Sequence, residues 1–484
     1  MVRSTYLFGF TLGAAVLAWA PLVVSGQTPN VREAIEALVY DPLEWSPPAP
    51  ERHEVSGVTA LLLEDRTLPL VTVLASFRGG YGLFGRDQYA ATMGLPALLR
   101  YGGTATASPD SVELLLEFYA MQTSFQSGGV SMGSTLNTLT GQLDESLGLW
   151  WELISDPGFD EDQIEIWRGR ELERVLRRAD DPGGLAYSAF NRLLYGDHSI
   201  GWELDAEDLA PDRTTPEQFR QIHARIFCRE NLTLGVAGDI AWDDARPRLE
   251  RLVRALAPCP EALTASAIPE IRRGGGVYLM ERDLEQAVII MAHPTSVRLA
   301  DETQFFAATM GNAILGGGGF SSRILQRVRS DEGYAYSASS LWTTPRRYDG
   351  LIGAITRTSP ENAVPAIDVI LGTMDQMRTS TPSAGELKTA VDRIVNGYVF
   401  NFQAPEQIVQ RMMLYVSGEL PDDWLERYAE GVQEVTTDDI RQVFADHLRP
   451  EEMTILVVGD PDRIGRDALA RLGPVTVLEP QTPN

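Results

Sequence analysis

The pattern of apolar and polar positions predicts strands followed by helices, without a regular alternation of the two. Densely apolar runs typical of buried strands occur at 58–63 and 70–77, and a helical pattern that contains AATMG at 90–94 comes next. Further along, the run LTLGVAGD predicts a closing strand that ends near Asp239. This order indicates an α+β fold, with helices packed on one face of a mostly antiparallel sheet.

The second half of the chain repeats this order. Strand patterns at 277–280 and 287–291 precede a helix that carries AATMG again at 307–311, an offset of 307 − 90 = 217 positions. The closing strand returns as MTILVVGD, and Thr214-Thr215 before one helix returns as Thr436-Thr437 before another, at offsets of 221 and 222. Three landmarks in the same order at nearly equal offsets predict an internal duplication.

The duplication predicts two homologous domains that face each other as half-shells around a cavity. Residues 258–275 are rich in proline, alanine and glycine, which suits a linker between them. The predicted divisions are a signal peptide at 1–26, an extended lead-in at 27–56, a first domain at 57–257, the linker at 258–275 and a second domain at 276–484.

The first residues have the pattern of a secretory signal peptide. Arg3 precedes an apolar run from Tyr6 to Val24, and the small residues Ser25 and Gly26 offer a cleavage site. Because the run is long, an uncleaved membrane anchor is the alternative. Either way, the bulk of the chain is predicted to be exported to the periplasm or the extracellular space.

The chain contains two cysteines, Cys228 and Cys259. Export permits a disulfide between them, and two free buried thiols are the alternative. Their spacing fits no metal-binding motif.

Composition narrows the classes of partner. Hydrophobic residues make up 44% of the chain, enough for a sizeable core. The 67 acidic residues against 41 basic ones give a net charge of −26. Such a surface repels phosphate backbones and anionic lipid headgroups, which argues against nucleic-acid binding and against membrane contact beyond the leader.

Candidate chemistry is concentrated in Leu315–Ser337, which reads LGGGGFSSRILQRVRSDEGYAYS. The helical spacing of Ile324, Leu325 and Val328 predicts a short helix after the glycines, and Gly333 suits a left-handed cap at its end. A strand is predicted to begin at 334–336.

Such a unit can aim Arg329 and Tyr336 at one place. Taken alone, the same composition also suits a loop and a helix with ordinary surface arginines. A phosphate-binding loop is disfavoured because no Gly-Lys-Ser/Thr follows the glycines.

After its AATMG, the first copy continues as LPALLRYGGT at 95–104. This stretch resembles the zinc-site helix of the insulinase/pitrilysin metallopeptidases, G-L-x-H-L-L-E-H-x-x-x-x-G-T. In that pattern two histidines bind zinc and the glutamate activates the metal-bound water. The three positions fall on Ala97, Arg100 and Tyr101, which are a residue with no donor, a guanidinium that repels zinc and a poor ligand at neutral pH.

The resemblance therefore implies a degenerate zinc site, with no metal bound by this chain. In the region of the family's third ligand, Glu171 and Glu173 are close, but Arg174 and Arg177 occupy the expected register. No two of the five histidines lie three or four residues apart, and surface or capping roles are expected for all five.

The second copy resembles the same family at LGGGGFSSRI and at R-x-x-x-G-x-x-Y, which here is Arg329, Gly333 and Tyr336. The resemblance implies that the arginine and the tyrosine hydrogen-bond the bound peptide and stabilise the oxyanion of the tetrahedral intermediate. It also implies that the preceding loop lies close to the substrate. The loop residues concerned are Gly317, Gly318, Gly319, Phe320 and Ser321.

Three functions are compatible with this reading. The first is the zinc-less subunit of a heterodimeric metallopeptidase, inactive alone, whose partner carries the H-x-x-E-H helix and the zinc. The second is a non-catalytic peptide-holding or scaffold protein. An independently active hydrolase is disfavoured, because Ser321-Ser322 lack the Gly-x-Ser-x-Gly frame of a serine nucleophile.

Overall fold

The computed structural model describes residues 48–299 and 303–479, all of which belong to one compact unit. The predicted signal peptide at 1–26 and most of the predicted lead-in lie outside the described residues. Within the described ranges, no helix is long and apolar enough to cross a membrane.

Within the described ranges, twelve strands form two sheets. The strands are β1 Glu51–Val55, β2 Val58–Glu64, β3 Leu70–Arg78, β4 Gln122–Ser127, β5 Ser131–Leu139, β6 Leu232–Gly238, β7 Gly276–Glu281, β8 Ala287–Thr295, β9 Ser337–Trp342, β10 Gly350–Thr358, β11 Thr454–Gly459 and β12 Val475–Leu478. The first sheet has the order β1-β2-β6-β3-β5-β4, and the second has the order β12-β7-β11-β8-β10-β9.

Helices fill the connections between these strands. Apart from a three-residue helical turn at Arg323–Leu325, the α-helices are α1 Tyr89–Tyr101, α2 Pro109–Phe118, α3 Leu143–Ser155, α4 Glu161–Leu176, α5 Pro182–Tyr195, α6 Pro216–Ile226, α7 Trp242–Ala255, α8 Thr303–Asn312, α9 Ala363–Thr379, α10 Ala384–Val399, α11 Pro405–Ser417, α12 Trp424–Glu434, α13 Thr437–His447, α14 Pro461–Ile464 and α15 Arg466–Ala470.

Each of the two sheets contains the same arrangement of five strands. In the first sheet β2 is parallel to β6, and the other neighbours within the unit, β6–β3–β5–β4, are antiparallel. The second sheet repeats this pattern with β7, β11, β8, β10 and β9. The sixth strand differs, because β1 is antiparallel to β2 whereas β12 is parallel to β7. The predicted α+β fold class is confirmed.

Each half takes its sixth strand from a different end of the chain. Strand β1 precedes the first unit and lies within the predicted lead-in, whereas β12 follows the second unit. The predicted linker, 258–275, contains no helix or strand.

The first sheet packs its own helices on one face. Along β2 and β3, alternate residues such as Leu62, Val73 and Phe77 are buried in the core that these helices cover. The intervening residues Leu61 and Leu74 lie on the opposite face, as expected from the two-residue period of a strand.

A helix from the second half covers that opposite face. Val409 and Met413 of α11 are buried against Leu61, Leu74 and Ala237 of the first sheet.

The reciprocal contact is made by α5 of the first half. Leu185, Ala189 and Phe190 are buried against residues of the second sheet that include Ile290 and Leu456. The two exchanged helices begin 405 − 182 = 223 positions apart, close to the offsets of the sequence repeat. The duplicated helix therefore crosses from each half to the other half's sheet.

Gly235 in β6 lies where α11 packs closely on the first sheet. A Cβ atom on Gly235 would lie 2.5 Å from the Met413 sulfur and 2.6 Å from a Val409 methyl carbon. We expect Gly235→Val to lower the free energy of unfolding by roughly 1–3 kcal/mol through overpacking. Thermal unfolding measures this. Because valine itself favours strand conformation, a loss of stability can be assigned to the steric overlap.

Gly148 in α3 provides the matched control, because a Cβ there meets nothing within 4 Å. We expect Gly148→Ala to leave the melting temperature unchanged or to raise it slightly. An unchanged melting temperature for Gly235→Val would contradict the close packing of α11 against the first sheet at this position.

The expectation that all five histidines are surface or capping residues is wrong for two of them. His223 is buried between α3 and the aromatic core, where its Nε2–H donates to the Ile154 carbonyl over 2.7 Å and its ring stacks on Phe227. His293 in β8 is also buried, and its Nε2 accepts from the Arg449 amide over 2.9 Å. Both histidines satisfy backbone groups in the core.

Burial lowers the pKa of His223 to about 4, because the imidazolium would lose its hydration. The folded state therefore favours neutral His223. Above pH 6.5, which is the pKa of histidine in the unfolded state, His223 is neutral in both states and its titration does not change the free energy of unfolding. As the pH falls from 6.5 towards 4, we expect the free energy of unfolding to drop by a term on the order of 3 kcal/mol.

The pH effect can be separated from packing with His223→Gln. We expect this variant to be less stable at pH 7 but to lose less stability between pH 6.5 and pH 4.5 than the wild type. Chemical unfolding at each pH measures the difference. Equal pH dependence in both proteins would show that His223 is not the titrating group.

Candidate functional site

The four-glycine stretch continues helix α8 through a tight turn instead of forming an open loop. Helix α8 passes into a π-helical turn at Ala313–Gly317 and then a 3-10 turn at Gly319–Ser321. A Cβ atom on Gly316 would lie 2.2 Å from the Ser340 nitrogen of β9, and one on Gly318 would lie 2.3 Å from the Ala313 carbonyl oxygen. These two glycines are buried and are required by packing.

The other two glycines present bare backbone to solvent. Gly317 and Gly319 are exposed, and Gly319 has a φ of 64°, in the left-handed region that glycine adopts most readily. Phe320 and Ser321 follow and are exposed as well.

The predicted short helix after the glycines is confirmed, although its second half is wider than an α-helix. The turn at Arg323–Leu325 continues as a π-helical turn at Gln326–Asp331, and its apolar residues Ile324, Leu325 and Val328 are buried. Gly333 follows with a φ of 68°, as expected for a left-handed cap. Strand β9 begins at Ser337, immediately after Tyr336.

Arg329, Phe320 and Tyr336 come together at the surface. The guanidinium carbon of Arg329 lies 4.5 Å from the centroid of the Tyr336 ring and 5.0 Å from that of the Phe320 ring. Both rings are conspicuously exposed, at 77% for Tyr336 and 73% for Phe320. We call these three residues the Arg329 patch. Cation–π contacts of this kind hold the guanidinium in place.

Helix α10 anchors the base of this unit through Arg323. The Arg323 guanidinium donates two hydrogen bonds to the Glu386 carboxylate, over 2.6 and 3.0 Å. Glu386 also forms a capping box with Ser383 at the start of α10. The hydrogen bond from Arg323, with further hydrogen bonds from Ser383, lowers the pKa of Glu386 to about 2.

A second contact from α10 reaches the loop itself. Arg393 donates to the Ser321 hydroxyl over 2.8 Å. Neither anchor was predicted from the sequence. The Ser-x-x-Glu pattern at 383–386 is a readable helix-start signal, but no local pattern pairs Glu386 with an arginine 63 positions away.

In the first half, Ala97, Arg100 and Tyr101 lie in the last turns of α1. Arg100 forms an ion pair with Glu113 of α2, with one contact of 3.2 Å, and its guanidinium carbon lies 4.7 Å from the centroid of the Tyr101 ring. The three positions thus hold a methyl group, a paired cation and a half-exposed phenol. They do not fit a zinc ion.

The helix that was predicted to carry the third ligand is α4. Its Glu171 pairs with Arg174 over 2.7 Å, and its Glu173 pairs with Arg177 over 2.6 Å. Both carboxylates thus lie in salt bridges along the helix surface.

Within 48–299 and 303–479, one group of three potential metal ligands is found, formed by Cys228, Glu230 and Cys259. The two cysteines are joined as a disulfide, which decides between the alternatives left open by the sequence. Glu230 accepts a hydrogen bond of 2.6 Å from the Cys259 amide.

Residues 213–394 match the family described as the peptidase M16 inactive domain. An uncharacterized zinc protease of Streptomyces coelicolor is 24% identical over 340 residues, which cover 66% of this chain and 72% of that protein. The non-peptidase homolog YmxG of Helicobacter pylori is 24% identical over 280 residues, which cover 58% of this chain and 64% of that protein.

Solved structures share the fold. The peptidase M16 inactive domain from Pseudomonas fluorescens aligns with a TM-score of 0.76 at 22% identity, covering 85% of this chain and 98% of that one. The periplasmic protease PqqL from Escherichia coli aligns with a TM-score of 0.72 at 13% identity, covering 93% of this chain but 49% of PqqL. Over residues 213–394 the sequence match, and over most of the described chain the duplicated fold, thus agree with the resemblance to the insulinase/pitrilysin (M16) peptidases and peptidase-like proteins.

Proposed function

We propose that this chain is the zinc-less subunit of an exported, heterodimeric zinc metallopeptidase that cleaves peptides. A partner of the same family, with an intact H-x-x-E-H helix, would supply the zinc and the glutamate that activates water. The observation that carries the proposal is a contrast between the halves. Arg100 occupies the catalytic glutamate's position and is paired with Glu113, whereas Arg329 lies beside the exposed Tyr336.

The chemistry of the Arg329 patch suits peptide binding. None of the described residues accepts a hydrogen bond from the Arg329 side chain or forms an ion pair with it. Its N–H groups and the Tyr336 hydroxyl can therefore donate to a peptide carbonyl of the substrate. The same donors would stabilise the negative charge that develops on that oxygen during hydrolysis.

A comparison of chain lengths supports a second subunit. This chain aligns with about half of PqqL, which is a protease in a single longer chain.

Export is supported by the disulfide between Cys228 and Cys259, because disulfides persist mainly in oxidising compartments. The apolar leader at 1–26 points the same way.

A non-catalytic peptide-holding or scaffold protein is the second candidate. The description of YmxG as a non-peptidase homolog favours it, since that protein resembles this chain over 280 residues. In this case the Arg329 patch would bind peptide without contributing to its cleavage.

Co-expression with an H-x-x-E-H-bearing family member from the same organism tests the proposal. We expect the pair to cleave peptides, and we expect Arg329→Ala or Tyr336→Phe in this chain to reduce kcat/KM by roughly 10²–10³-fold, the effect of losing an oxyanion donor. Tyr336→Phe keeps the ring beside Arg329 and removes the hydroxyl alone. Peptide hydrolysis and zinc content of each preparation are the measurements.

Arg471→Ala is the matched control, because Arg471 is exposed and its side chain forms no hydrogen bond or ion pair with the described residues. Zinc-dependent cleavage by this chain alone would contradict the proposal. Peptide binding without cleavage by the pair would favour the scaffold instead.

A further inference from the structure

We propose that Arg329 and Arg393 together bind a carboxylate of the peptide, either an acidic side chain or the free C-terminus. This inference rests on the proposed function, because it names the class of peptide that the Arg329 patch would hold. Arg393, on α10, would then determine specificity.

The charges around the loop leave these two arginines unpaired. Three nearby carboxylates each have their own cation: Glu386 with Arg323, Asp331 with Arg327 at 3.6 Å, and Asp392 with Lys388 at 2.5 Å. Among the described residues, neither Arg329 nor Arg393 forms an ion pair, and the exposed Glu332 pairs with neither. In a chain of net charge −26, two cations at one loop that form no ion pair with the described residues are available for an external anion.

Both guanidinium groups flank the same short segment, 319–321. Arg329 lies over the Phe320 ring at 5.0 Å, and Arg393 is hydrogen-bonded to the next residue, Ser321. A Cβ atom on Gly318 would lie 3.2 Å from Arg393 Nη1, and one on Gly319 would lie 3.5 Å from it. The glycines therefore leave the guanidinium uncovered where any other residue would touch it.

The donor chemistry favours a carboxylate. A guanidinium carries five N–H donors, and Arg393 uses one on Ser321, so donors remain for a bidentate contact. Cation–π contact with Phe320 and Tyr336 orients Arg329 without supplying a hydrogen-bond acceptor. Planar, bidentate recognition of carboxylates is the geometry for which arginine is better suited than lysine.

The electrostatic field of the whole protein opposes a preference for acidic peptides. A net charge of −26 repels acidic peptides at long range. Any preference for an acidic peptide must therefore come from a local site. At ionic strength near 0.15 M the long-range repulsion is screened beyond about 8 Å, so contacts at the loop dominate.

Retention of peptide pools on the immobilised full-length chain tests the inference. One pair of N-acetylated nonapeptide amide pools carries either Asp or Asn at the central position and random uncharged residues elsewhere. A second pair, free of acidic side chains, ends in either a free carboxylate or an amide. Mass spectrometry of the retained peptides at 0.15 M salt gives each acid-to-neutral ratio, and the two pairs distinguish a side chain from a terminus.

We expect one pair to show an acid-to-neutral ratio of roughly tenfold or more, as for hydrogen bonds to a charged group. Arg393→Gln and Arg329→Gln should each bring the ratio towards one, while Arg393→Lys should restore part of it. Arg471→Gln should leave the ratio unchanged. Circular dichroism of each variant verifies that it is folded.

Equal retention of acidic and neutral peptides would overturn the inference and leave the proposed function standing. A preference that survives both Arg329→Gln and Arg393→Gln would also overturn it. If no pool is retained, the inference is overturned as well, and cleavage by the co-expressed pair decides the proposed function separately.

Discussion

The exchange of α5 and α11 between the halves is the contact on which the rest of the fold depends. Each sheet has apolar residues on both faces, but its own helices cover only one. An uncovered apolar face would leave the sheet exposed to water at a large cost in free energy. Because the helix that closes each sheet comes from the other half, neither half can complete its core alone.

By the AATMG repeat, helix α1 corresponds to α8, and each is followed by further helical segments before an edge strand of its sheet. The two arginines therefore lie at different places in the repeat, because Arg100 is within α1 whereas Arg329 is in the segment that follows α8. Glu113 of the next helix neutralises Arg100. Among the described residues, Arg329 has aromatic neighbours and no carboxylate partner. The first half thus holds a paired arginine, and the second half holds an arginine that can still take an acceptor.

The sequence predicted what depends on local pattern. Apolar runs located six strands, and the repeat of AATMG and the closing strands indicated the duplication, because both halves build the same five-strand unit. Strand β12 was not predicted from the sequence, because Val475–Leu478 is short and half exposed. The burial of His223 was also missed, since its acceptor, the Ile154 carbonyl, is 69 positions away. Long-range partners of this kind leave no trace in spacing.

For the candidate site, sequence resemblance supplied the residues, but only the structure gives a reason why they hold their positions. Phe320 and Tyr336 expose large aromatic surfaces, which a monomeric protein usually buries or uses for binding. The segment that presents them is held by Arg323, whose partner Glu386 stays ionised far below neutral pH because its pKa is lowered to about 2. The loop is therefore fixed before any ligand arrives. Such preorganisation reduces the entropy lost on binding. The tightly packed glycines and the salt bridge provide it at the base of an otherwise exposed patch.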